Sequence, residues 1–166
     1  MSNMTTKKLT TLSLCVALAM LLSFIESQIP PFVAVPGIKV GLSNIVTVFL
    51  LYTFSWREAG CVSVIRVCLS SLLFGSAVSL LYALSGALLS LIIMIALKPL
   101  PLFSEMGVSV AGGVFHNAGQ ILCACVIMEN IRISAYLPVL ILSGTLAGAV
   151  VGIISGLLVK KLKGKI

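Results

Sequence analysis

Apolar residues in this chain run in long blocks, broken by a few short polar or proline-containing stretches. A helix that crosses a bilayer needs roughly 20 predominantly apolar residues, so the chain has room for about six such helices and little else. The pattern predicts spans at about 9–25, 40–55, 59–76, 79–97, 107–128 and 136–159. Pro30, Pro31, Pro36 and Gly37 break the chain after the first span. Trp56, Arg57 and Glu58 form a short interfacial turn after the second. KPLPLFSE, Lys98 to Glu105, parts the fourth from the fifth, and ENIRISAY, Glu129 to Tyr136, parts the fifth from the sixth. Only FGSAVS divides the third from the fourth, the weakest of these signals. The expectation is an all-α integral membrane protein, one transmembrane domain over residues 1–166.

Composition sharpens this picture. Of 166 residues, 60% are hydrophobic and 9% charged, against about 25% charged in soluble domains. Mean hydropathy is +1.23. These values leave no place for a soluble domain or a nucleic-acid-binding fold. The net charge of +7 is explained by where the cations lie. With the N-terminus inside, cytoplasmic segments hold eight of them: Lys7, Lys8, Arg57, Lys98, Lys160, Lys161, Lys163 and Lys165. Outer loops hold two, Lys39 and Arg132. Both termini are therefore expected in the cytoplasm, the lysines acting as topology signals beside anionic lipid. Lys7 and Lys8 followed by LTTLSLCVALAMLLSFI resemble a signal peptide, but no small-residue cleavage site follows, so the segment reads as an uncleaved first helix. The five cysteines form no CxxC pair and read as small packing residues.

Polar residues within apolar spans mark the candidate chemistry. GGVFHNAGQ in the fifth span carries His116, Asn117 and Gln120. His116 and Gln120 are four apart and share a helix face, with Asn117 adjoining. The third span carries Arg66 at mid-depth, flanked by Ser63 and Ser70. A cation at the bilayer centre costs at least about 2.5–3.5 kcal/mol, so it must face a partner, water or a ligand. No acid is expected at its depth: Glu58 lies two turns toward the cytoplasm and Glu26 near the outer surface. An unpaired Arg66 calls for an anionic ligand. Asn44 and Lys39 begin the second span on the outer side. Glu26, Lys39, Asn44, Arg66, His116, Asn117 and Gln120 thus define a substrate pocket open to the outside. Interhelical hydrogen bonding is the plainer reading of His116, Asn44 and Asn117, and ordinary interfacial charge that of Glu26 and Lys39. Gly144, Gly148, Gly152 and Gly156 form a ladder in the last span, for packing within this protein or for docking a partner subunit. Ser13 and Ala17 offer a weaker strip on the first.

Other chemistry is poorly served. There is no aspartate, and the four glutamates are scattered. The single His has no acid to orient it for nucleophilic catalysis, and one His makes no metal site. No Walker motif is present, so active uptake would need a partner or an ion gradient. The reading leans away from an enzyme and expects no cofactor and no metal.

PGIKVGLSNIVTVFLLY, RVCLSSLLFG and GGVFHNAGQ, in that order, resemble the Gx transporter family of small bacterial membrane proteins, also called heptaprenyl diphosphate synthase component I. Lys39, Gly41, Asn44, Arg66, Gly75, His116, Asn117 and Gln120 occupy its motif positions. The family looks similar to the substrate-binding S components of energy-coupling factor (ECF) transporters. That likeness implies six helices in the bacterial cell membrane, a vitamin-like ligand bound from outside, and docking on a transmembrane coupling subunit with ATPases. S components use an Ala-x-x-x-Ala strip on the first helix for this docking. The nearest equivalents here are Ser13 and Ala17, or Cys15 and Ala19. The expected function is capture of a small organic anion, vitamin- or quinone-precursor-like, for uptake, with the loop of residues 27–38 as a lid. The alternative is an accessory membrane subunit in heptaprenyl diphosphate or quinone metabolism, or in an electron-transfer complex.

Overall fold

The structure, a computed structural model, describes residues 6–28 and 41–162. They form six α-helices: α1 (Thr6–Gln28), α2 (Asn44–Thr53), α3 (Trp56–Phe74), α4 (Ala77–Leu97), α5 (Glu105–Ile127) and α6 (Leu137–Leu162), with a 3-10 helix, Ile131–Tyr136, leading into α6. No strand occurs among the described residues. Four segments are long and apolar enough to cross a membrane: Thr6–Gln28, Ala77–Leu97, Glu105–Ile127 and Ile131–Leu162.

Serine caps set several boundaries. Ser55 accepts from Arg57 N at the start of α3, and Ser104 from Gly107 N at the start of α5. The weak FGSAVS signal proves to be a sharp break. Gly75 ends α3, and Ser76 and Ser79 form a reciprocal capping box that starts α4.

The second element departs most from expectation. The sequence pattern puts its start near residue 40, but α2 begins at Asn44 and has ten residues. Gly41 has φ +78°, a left-handed conformation that glycine adopts without strain, and this turn delays the helix. At 1.5 Å per residue α2 is about half the roughly 30 Å of a bilayer core. It is instead the centre of the bundle. Every residue from Ile45 to Leu51 is buried, and α2 packs against α1, α3 and α6. Around it α1 meets α3, α3 meets α4, α4 meets α5 and α5 meets α6. Leu50 and Leu51 join Val46, Phe49, Val62, Leu91, Met94, Val108 and Val151 in one apolar core. Outward faces carry many exposed large apolar side chains, among them Leu14, Leu72, Ile92, Leu122, Leu146 and Leu157.

The bundle has two unlike ends. At one, Lys8 pairs with Glu58, which also accepts from Ser55. Nearby Lys98 donates to Leu51 O at 2.5 Å and lies over the Tyr52 ring. At the other end α1 and α3 stop, α2 and α4 start, and the cavity described next opens.

Candidate functional site

The cavity is walled by all of the first five helices. It offers about 80 Å³ to the centres of water-sized molecules. One water needs roughly 10–15 Å³ by that measure, so several waters or a small molecule fit. Ser23, Glu26 and Ser27 line it from the last turns of α1, Gly41, Ser43 and Asn44 from the start of α2. Arg66, Ser70, Ser71 and Phe74 come from α3, Ser79 and Tyr82 from α4, and His116 and Gln120 from α5. Five residues expected in a pocket on sequence grounds, Glu26, Asn44, Arg66, His116 and Gln120, therefore share one cavity.

Arg66 is its central cation and is 8% exposed. Its Nη1 donates to Ser43 Oγ at 2.6 Å and to Ser23 Oγ at 3.4 Å. Its Nε and Nη2 are buried with no hydrogen-bond partner among the described residues. Buried polar groups are almost always satisfied, and a charged donor left unsatisfied costs more than a neutral one.

Glu26, expected near the outer surface and at a different depth from Arg66, lines the same cavity. It is 6% exposed, accepts a hydrogen bond from Gly41 N, and its charge acts favourably on Arg66. The contact is made at Gly41, whose left-handed turn just before α2 presents its N–H to the Glu26 carboxylate. Arg66 thus has an acid in its own cavity.

The polar group of α5 is split. His116 and Gln120 face the cavity. Asn117 does not line it: its Nδ2 donates to Leu140 O of α6 at 2.8 Å, and the residue is buried. Asn117 also lines a smaller void walled by α2, α4, α5 and α6. This arrangement is the interhelical bond of the plainer reading. Lys39 and most of the proline-rich lid segment lie outside the described residues.

The glycine ladder follows the first of its two expected readings, packing within this protein. A Cβ on Gly144 would meet Gly113 O at 2.7 Å, on Gly148 Val110 Cα at 2.6 Å, and on Gly152 Met106 Cα at 2.8 Å. Gly156 faces the Glu105 carboxylate. All four abut α5, whose own Gly113 meets the ladder in return. Glycines at a four-residue step let two backbones close together, and here both backbones belong to this chain. On α1 the two candidate strips also separate. Cys15 and Ala19 are buried, whereas Ser13 and Ala17 are exposed.

Sequence reasoning missed Ser23, Ser43 and Tyr82. Ser23, Glu26 and Ser27 recur at i, i+3 and i+4, a polar strip on an otherwise apolar helix that was there to be read. Ser43 carried no signal, since its role depends on the Gly41 turn. Among the described residues no three His, Cys, Asp or Glu side chains converge as metal ligands would.

Comparison with known proteins places the whole bundle, cavity included, in one family. The family model described as heptaprenyl diphosphate synthase component I matches residues 15–158. No curated protein and no solved structure matches the chain. With the match spanning nearly the full length, from α1 to α6, the chain belongs to the heptaprenyl diphosphate synthase component I family.

Proposed function

We propose that this protein is a multi-pass membrane component that captures a small organic anion from the outer side for uptake energised by a partner. The observation that carries the reading is the pair of buried Arg66 donors without hydrogen-bond partners among the described residues, on a side chain that lines a cavity with room for a small molecule. Arg66 anchors the anion. His116, Gln120 and Asn44 orient it, and Lys39, outside the described residues, is proposed to attract it by its charge. All six helices cross or enter the membrane with both termini cytoplasmic, as the lysine distribution requires. That orientation turns the cavity outward, because the end bearing Lys8, Arg57 and Lys98 lies opposite. The exposed Ser13 and Ala17 strip is the docking face for a transmembrane coupling subunit, a role the glycine ladder has no free surface to fill.

The test is mass spectrometry of small molecules retained by the detergent-purified protein, wild type beside Arg66→Ala. One anionic compound is expected in the wild type, with retention down by roughly tenfold or more in the variant, the scale of losing charge-assisted hydrogen bonds. A wild type that carries no anion, or a variant that holds it equally well, sinks the reading.

The family description favours a second reading, an accessory subunit in heptaprenyl diphosphate metabolism. Magnesium-dependent diphosphate chemistry needs clustered carboxylates, and the sequence has no Asp. In that case the chain would anchor or assist a partner synthase, and the partner would persistently co-purify with an empty cavity.

A further inference from the structure

The geometry of the unpaired donors narrows the ligand further. In the guanidinium of Arg66, Nη1 is the nitrogen engaged by Ser23 and Ser43. The two left over, Nε and Nη2, carry the parallel N–H bonds of one side of the fork. That edge matches the two oxygens of a single carboxylate or phosphate, whereas an ammonium offers only a point charge. A third donor accompanies it. Ser70 stands one helical turn beyond Arg66 on α3 and lines the same cavity, and its Oγ is also buried with no hydrogen-bond partner among the described residues.

Charge decides between the two oxyanions. The cavity holds Arg66 and, in the same walls, the buried acid Glu26. A carboxylate adds one negative charge. A phosphate monoester adds about 1.5 to 2 near neutral pH and a diphosphate more, all of it beside Glu26 in a setting where water screens weakly. The space of about 80 Å³ open to the centres of water-sized molecules suits a small head group. Phe74, Tyr82 and Ala83 supply apolar surface for the remainder of a small ligand.

We propose, building on the capture reading above, that the cavity takes the carboxylate of a small mono-anionic organic acid, held side-on by Arg66 Nε–H and Nη2–H with Ser70 Oγ–H as third donor.

The experiment is thermal unfolding of the full chain in detergent near neutral pH. The titrants are sodium acetate, sodium benzoate, sodium phosphate and phenyl phosphate at matched ionic strength. A ligand that binds the folded state raises Tm in proportion to its occupancy. The carboxylates are expected to raise Tm with apparent affinities at least about tenfold tighter than their phosphate counterparts, the scale of one charge-assisted hydrogen bond. Arg66→Lys, which keeps the charge and loses the fork, weakens benzoate by roughly tenfold or more. Ser70→Ala removes one hydroxyl from a half-buried position and is expected to fold; it weakens benzoate by several-fold to about tenfold. Carboxylates that give no shift, or that bind Ser70→Ala and Arg66→Lys as they bind wild type, overturn the proposal. Phosphates that bind as tightly as carboxylates in an Arg66-dependent way overturn the carboxylate assignment and leave anion capture standing. If no anion gives an Arg66-dependent shift, both fall together.

Discussion

At the scale of single residues, Arg66 and Asn117 are both buried polar side chains in helices, yet only Arg66 is left with unused donors. Opposite phenotypes should follow. Asn117→Ala removes the bond to Leu140 O and should lower stability by about 0.6–2 kcal/mol, the range for interhelical hydrogen bonds in membranes. Ligand retention should persist. Arg66→Ala should show the reverse balance, with retention falling first. Comparing detergent unfolding curves with retained-ligand mass spectra checks both. Part of this split was legible beforehand. His116 and Gln120 are four apart and share a face, while Asn117 is turned about 100° from His116. What spacing lacks is the identity of the neighbour on each face. Only the packing shows that one side meets the cavity and the other α6. Glu26 was legible as a pocket residue, but its bond to Gly41 N was not, because that depends on a positive φ at Gly41 and hydropathy is blind to it.

At the scale of elements, the helix count and most boundaries could be read from apolar blocks and their breaks. The start of α2 and the strength of the α3–α4 break could not, because each turns on local chemistry, the left-handed Gly41 and the Ser76–Ser79 box. The glycine ladder was visible as a pattern, but periodicity cannot say which helix fills it. Its occupant gives a direct prediction. Gly148→Ala would press a Cβ against the α5 backbone at Val110, where no flexible side chain can yield. A loss of about 1–3 kcal/mol is expected, as for overpacking elsewhere, read by thermal or denaturant unfolding in detergent. Ala17→Leu adds far more volume on the exposed face of α1. It should change stability by no more than about 0.5 kcal/mol, and pull-down of a coupling subunit with this variant should fail.

At the scale of the whole molecule, the bundle gathers Lys8, Arg57 and Lys98 at one end and opens its cavity at the other. A membrane orientation follows from that polarity: alkaline phosphatase fused to either terminus should be inactive, and fused in the 3-10 segment near Arg132 active. Strong phosphatase activity from a terminal fusion would invert the cavity and end the uptake reading. The all-helical, apolar class was legible because it depends on summed hydropathy. The cavity was legible only as a list of polar residues, because its closure requires α1, α2 and α3 to meet. The order in which those helices meet bears on how the protein is made. The bundle's centre, α2, emerges early in synthesis, yet one of its main neighbours is the last helix: Ser155 of α6 donates to Ile45 O at 3.2 Å. Until α6 leaves the ribosome, a short helix with Ser43 at its N-cap and Thr47 within it, both buried in the finished bundle, is left half-covered. Nascent chains stopped before α6 should therefore be substrates for membrane proteases, because 110 residues separate Ile45 from the Ser155 that closes on it.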